Sequence, residues 1–236
     1  ARSLSDRIVR RNAQTYKRAR FQQDCQLMDF AAARKVMVDS QVRVNDVTDR
    51  ALQAALLETP RERFLPADRA FSAYAEIQPE IANGRLLMLA RDLSKLLMAL
   101  GAKPGERALA IAGPYAGAVL ARMGLEVTAQ EADAAVFDVV GPVLADEGVQ
   151  TVVAPLTAAS GEGYDVIVSE CAVPGRPEAW INALKVGGRL AVVERSSAAG
   201  KAVLYVRGEQ GVSRRELFNA APQVLAELQP EPTFAL

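Results

Sequence analysis

From Gly105 onward the sequence alternates short apolar runs with longer mixed segments, and few architectures accommodate that alternation. The runs are Ala108–Ala112, Leu125–Ala129, Val149–Ala154, Val166–Val168 and Leu190–Val193. Each is too short for a core helix. Ala108–Ala112, Val166–Val168 and Leu190–Val193 are also apolar at consecutive positions, as a strand must be when both of its faces are buried, while Leu125–Ala129 and Val149–Ala154 carry polar residues within a mainly apolar run. Strands of that kind separated by crossover segments predict a parallel sheet with helices on both faces. The final runs, Ala202–Arg207 and Val212–Phe218, flank a turn at Gly208–Gly211. They read as a hairpin that closes the sheet with an antiparallel strand. The expected fold class is therefore α/β, a doubly wound, mostly parallel sheet with an antiparallel terminal hairpin.

Upstream the pattern is helical. Asp29–Val42 has helical apolar spacing, and Asp46–Asp49 offers capping side chains for a helix running through Leu57. Pro60 and Pro66 bracket Arg61–Leu65, Arg91–Leu100 forms another amphipathic stretch, and Gly101, Pro104 and Gly105 end the region with a turn. Three parts are expected: a basic N-terminal extension (1–27), a helical cap (28–103) and the sheet domain (104–236).

The formal net charge is zero, but it is unevenly distributed. Residues 1–27 contain seven basic and two acidic side chains, giving +5, so the rest of the chain carries −5. The extension has only a thin apolar stripe (Leu4, Ile8, Val9, Ala13, Tyr16). A basic segment with so little to bury predicts docking on an acidic protein partner through Arg2–Arg20. DNA is not the expected partner, because the extension lacks interleaved aromatic side chains and the body is acidic. The longest uncharged stretches, Ala108–Ala121 and Gly148–Gly161, are 14 residues each and interrupted by Pro and Gly. A membrane span needs about 18 or more apolar residues, so none is expected. The Arg-rich opening is unlike a secretory signal, and two cysteines, Cys25 and Cys171, suit a reducing compartment. The expected location is cytoplasmic.

The chain contains no histidine. This excludes His-assisted Ser or Cys nucleophiles, imidazole bases and His-built zinc sites. It leaves open reactions whose nucleophile is already an anion at neutral pH.

Two blocks carry a family resemblance. Met37–Pro66 reads MVDSQVRVNDVTDRALQAALLETPRERFLP. It is similar to a helix "MV…QL" followed by "I.D..VL.A…VPRE.FVP" at the start of protein-L-isoaspartate O-methyltransferases, and Ala73–Tyr74 matches the "AY" that follows. Tyr164–Val193 reads YDVIVSECAVPGRPEAWINALKVGGRLAVV and resembles the family's "YD.I.V.AAVP.IPE.L..QLK.GGRLV.P". The resemblance spans about Met28–Leu236. It implies a class I, Rossmann-like methyltransferase fold using S-adenosylmethionine, whose relatives methylate isoaspartyl carboxylates. Such a displacement needs in-line positioning rather than a strong base, so a chain without histidine is compatible with it.

The cofactor motifs depart from the family pattern. Where the family has "LD.GCGTGY", this chain has LAIAGPYAGAVLARMG, Leu109–Gly124. Ala110 replaces the acid, Pro114 has no N–H to donate, and the loop is about two residues shorter. Gly113 and Gly117 remain as candidate cofactor contacts. Glu131 is the candidate for the ribose hydroxyls, and Glu170, at the end of the fourth strand, is a further cofactor-side candidate. Pro155 or Leu156 stands where relatives carry a third acid. The family's "G.GQTIS.P" substrate loop reads ANGRLLMLARDLSK, with Leu86, Leu87 and Met88 at the hydroxyl positions. Cys171 is expected to be a buried apolar group and Trp180 to pack on the sheet. No catalytic residue and no metal ligand is nominated. The implied function is that of an isoaspartyl-methyltransferase-like protein with an eroded S-adenosylmethionine site, binding the cofactor weakly or not at all and acting as a structural or accessory subunit. The alternative is an active S-adenosylmethionine-dependent protein carboxyl methyltransferase.

Overall fold

The computed structural model describes residues 28–229. The basic extension and its expected partner contacts therefore lie outside the described residues. Helix α1, Phe30–Met37, starts at Asp29, whose carboxylate accepts the Ala32 N–H at 2.9 Å. The apolar spacing continues to Val42, but the hydrogen bonding changes at Val38 to a π-turn (Val38–Val42) and then a 3₁₀ turn (Arg43–Asn45). The wider turn brings Val38, Gln41 and Val42 into the interior together. Helix α2, Arg50–Glu58, is capped by Asp49, which accepts from Ala51 and Leu52. After a 3₁₀ turn at Arg61–Phe64 come two short strands, β1 (Glu80–Ala82) and β2 (Arg85–Leu86). Helix α3, Ala90–Leu100, ends at Gly101 in the left-handed conformation.

The main sheet comprises β3 (Arg107–Ile111), β4 (Glu126–Glu131), β5 (Gln150–Val153), β6 (Tyr164–Val173), β7 (Leu184–Glu194), β8 (Gly200–Gly208) and β9 (Gly211–Ala220). Their spatial order is β5-β4-β3-β6-β7-β8-β9. The strands from β5 across to β7 pair in parallel, and β8 and β9 are antiparallel. Helices α4 (Pro114–Arg122), α5 (Ala134–Asp146) and α6 (Glu178–Asn182) lie in the crossovers.

The pleat divides the core. Ala108 and Ala110 of β3 belong to one apolar layer with Leu52, Leu96, Val119 and Val140, drawn from α2, α3, α4 and α5. Leu109 and Ile111 face the other layer, with Leu156, Tyr164, Trp180 and Ile181. The sequence predicts helices on both faces, and the structure distributes them unevenly. The second layer is covered by the five-residue α6 and by the coil between β5 and β6. Trp180 compensates for the missing helix: it is fully buried, and its indole N–H donates to the Leu156 carbonyl at 2.8 Å.

Strand β3 pairs with β4 on one side and β6 on the other, so the chain reverses its direction of winding there. In open α/β sheets the ligand crevice lies at the carboxyl ends of the strands beside such a reversal. Here that point is where Ile111–Gly113 meets Ser169–Glu170. The β1–β2 hairpin and the C-terminal segment both fold over this end. Ala172 N–H donates to the Gln223 carbonyl at 2.7 Å, while the Gln223 side chain accepts from Leu86 N–H and donates to the Gly84 carbonyl.

Candidate functional site

The loop after β3 turns through Ala112, a non-glycine residue held at φ +46° where the family pattern has glycine. Pro114 then occupies the first turn of α4, where a missing N–H costs no helical bond. Of the two retained glycines, Gly117 serves close approach within the protein. A Cβ on Gly117 would lie 3.3 Å from Ala110 Cβ and 3.5 Å from Val127 Cγ1, so its bare backbone lets α4 settle on the sheet. A Cβ on Gly113 would lie 3.5 Å from the Glu170 nitrogen, which places this loop directly against β6.

Glu170 is buried within β6, three residues before the strand ends at Val173 rather than at its end as the sequence suggests. Its Oε1 accepts the N–H of Ala116, third residue of α4, at 2.9 Å, and its Oε2 accepts the Met88 N–H at 3.4 Å. A carboxylate at a helix N-terminus satisfies a donor that has no helical partner and complements the helix dipole. The side chain thus fastens three elements: β6, α4 and the segment after β2.

Glu131 ends β4 and is only 2% exposed. Its Oε1 lies 3.3 Å from Nε of Arg85, which is itself 5% exposed on β2. Arg85 Nη1 donates to the Leu86 carbonyl. The remaining groups, Arg85 Nε and Nη2 and Glu131 Oε1, are buried without an aligned hydrogen bond, so the pair is held by charge. Burial pushes the Glu131 carboxyl up to about 7, with the Arg85 charge opposing that shift. Burial also works against the Arg85 cation, but the charges of Glu131 and Glu170 outweigh it and its pKa rises. Next to Glu170, burial raises the Cys171 thiol to about 11, leaving it a neutral, fully buried group 3.0 Å from Ser169 Oγ.

The other departures from the family pattern are built into the interior. Leu87 and Met88 are core residues and Leu86 is half-buried. Leu156 is fully buried in the second layer, and the Pro155 carbonyl accepts from Gln130 at 2.8 Å. An open cleft of about 580 Å³ reaches the Arg85–Glu131 pair from outside, between Asn83, Asp133, Val136, Val153, Leu225 and Glu227.

Two important residues escape sequence reasoning. Arg85 follows Asn83–Gly84, both at positive φ, and Asn-Gly is the dipeptide favoured in a two-residue hairpin turn. That signal was present and would have located the hairpin. Arg61, within the family's "PRE" segment, is 1% exposed. It donates to the Ala73 and Met88 carbonyls at 2.8 and 2.5 Å, and its guanidinium lies 4.7 Å from the Tyr115 ring centroid. Among the described residues, no group of three or more His, Cys, Asp or Glu side chains could hold a metal ion, and no helix is long and apolar enough to cross a membrane.

The sheet order and its terminal hairpin define a class I, Rossmann-like methyltransferase fold. Solved structures agree. A protein-L-isoaspartate O-methyltransferase superposes with a TM-score of 0.65 at 22% identity, covering 76% of this chain and 62% of its own. Another, assigned to the same family from Plasmodium falciparum and in complex with S-adenosyl-L-homocysteine, gives 0.71 at 14% identity over 82% and 98%. By sequence, protein-L-isoaspartate O-methyltransferase 1 of Rhodopseudomonas palustris strain HaA2 is 35% identical over 168 residues, 68% of this chain and 69% of the relative. A protein-L-isoaspartate O-methyltransferase of strain ATCC BAA-98 / CGA009 is 31% identical over 83% of this chain and 96% of its own length. No family model matches the chain. On these relatives, the chain belongs to the protein-L-isoaspartate O-methyltransferase family.

Proposed function

We propose that this chain is a non-catalytic member of its family, acting in the cytoplasm as a structural or accessory subunit. Relatives carry the name protein-L-isoaspartate O-methyltransferase, one solved neighbour is in complex with S-adenosyl-L-homocysteine, and the crevice beside β3 is where such a cofactor would sit. The residues present do not fit it. The reading rests on one observation: both acids that could face the cofactor are engaged by the protein itself, Glu131 by Arg85 and Glu170 by the Ala116 and Met88 N–H groups. Pro114 removes a donor from the loop, and Gly117 is packed against Ala110 and Val127 of the sheet. Arg85 also puts a positive charge into the crevice that would have to admit a positively charged cofactor.

The subunit role gives the basic extension a purpose, since residues 1–27 carry +5 and an acidic partner surface would complement it. The competing reading, an active carboxyl methyltransferase, is favoured by the open cleft that reaches Glu131. Incubating the purified chain with an isoaspartyl peptide and methyl-labelled S-adenosylmethionine separates the two. No base-labile methyl ester above background is expected, and ester formation that scales with protein concentration would establish the enzyme instead.

A further inference from the structure

Arg85 is in an unusual position for a residue beside an exposed turn. Asn83 and Gly84 at the hairpin tip are open to solvent, yet the next side chain passes inward and is 95% covered. The hairpin is secured at several points. Asn83 Nδ2 donates to Asp133 at 2.7 Å, Gly84 N–H donates to Glu80 at 2.8 Å, and Gln223 bonds Gly84 and Leu86. Asp133 is also the cap of α5, accepting the Ala135 N–H. These contacts fix the tip to the rim of the crevice and commit the guanidinium to its floor. There it meets Glu131 at 3.3 Å, with the second negative charge of Glu170 in electrostatic reach. A buried carboxylate without a counter-charge is costly, so a site with two acids needs a cation to stay closed. The chain provides that cation on its own backbone. The family pattern quoted above has a neutral glutamine at this position.

We infer that Arg85 is a built-in cation that takes the cofactor's place between Glu131 and Glu170, and that it is the specificity-determining residue that keeps S-adenosylmethionine out. This rests on the non-catalytic reading above and names the group responsible for it. The hairpin acts as a fixed plug at the floor of the open cleft: its side chain neutralises the acids there from within, so they are engaged without a ligand.

The test uses the full chain and the variants Arg85→Gln, Arg85→Ala and Arg85→Lys, titrated with S-adenosylmethionine and followed by calorimetry and thermal melting. The wild type and Arg85→Lys, which both keep the charge, should show no binding. Arg85→Gln and Arg85→Ala should gain at least about tenfold in affinity and show an upward melting shift of several degrees. Folded Arg85→Gln and Arg85→Ala that bind no better than wild type would overturn the inference while leaving the non-catalytic reading intact. Tight binding by the wild type would instead overturn that reading. Should both neutral variants fail to fold, they are refolded with low-millimolar methylguanidine, a free copy of the missing group, against equal sodium chloride. Recovery with methylguanidine only supports the plug. No recovery shows that Arg85 does not act as a replaceable cation and refutes it.

Discussion

Replacing Glu170 by alanine tests whether this carboxylate fastens the fold or waits for a ligand. In the structure its two oxygens receive the N–H groups of Ala116 and Met88, at 2.9 and 3.4 Å, and the side chain is 1% exposed. Alanine leaves both donors without an acceptor. A buried unsatisfied donor costs about 1–3 kcal/mol, with the longer Met88 bond at the low end, so roughly 2–4 kcal/mol is expected for the pair. Loss of the negative charge beside Arg85 adds to this. For a domain of about 200 residues each kcal/mol lowers the melting midpoint by about 2–4 °C, which puts Glu170→Ala about 5–15 °C below wild type. Glu170→Gln retains one acceptor oxygen and should recover about half of that loss. Thermal and urea unfolding of the three proteins decide the matter. If Glu170→Ala melts within about 2 °C of wild type, the carboxylate does not join β6, α4 and the Met88 segment as described.

Glu131 should leave a pH signature. Its carboxyl is raised in the folded protein to about 7 from an ordinary 4.5, mainly by burial. The associated stability is therefore fully present below about pH 4.5 and is lost as pH rises through 7. Relative to Glu131→Gln, wild type should lose at most about 3 kcal/mol between those limits in urea titrations; a pH-independent difference would show that the carboxyl is not raised. Arg61→Ala strips donors from two buried carbonyls and opens a cavity beside Tyr115, so a loss of about 3–5 kcal/mol is expected, and Arg61→Lys should recover little because it lacks the planar fork. Deleting residues 1–27 should leave the melting midpoint of the body within about 2 °C of wild type but abolish salt-sensitive association with an acidic partner; a partner that still co-purifies would place the docking surface elsewhere.

The central strands were legible because burial on both faces imposes consecutive apolar residues, and β3, β6 and β7 each contain such a run, whereas β4 is interrupted by polar residues and the edge strand β5 is largely exposed. Their ends were less so: β6 extends from Tyr164 to Val173, well beyond the expected Val166–Val168, because Ser169 and Glu170 satisfy their polar groups inside the protein. The thin second layer was hidden by the same logic, since a ten-residue coil and a short helix carry no period to read. The β1–β2 hairpin left only five strand residues, too few for a pattern, although its Asn-Gly turn was visible. The site was legible only in part. Glu131 could be nominated from its place at the end of β4, and Glu170 from the expected end of a strand that in fact continues to Val173. What engages them could not, because Arg85 lies 46 positions before Glu131, and Ala116 lies 54 positions before Glu170. A lone arginine after a turn otherwise reads as solvated surface.

Whether the crevice admits the family's cofactor is answered most directly by calorimetric titration of the wild-type chain with S-adenosylmethionine. With Glu131 and Glu170 committed to internal partners, no saturable heat should appear up to about 1 mM ligand, and the melting midpoint should not move. A saturable isotherm with a dissociation constant of about 10 μM or below, accompanied by a rise of several degrees in the midpoint and abolished by Glu131→Ala, would contradict the account that both acids are committed to internal partners.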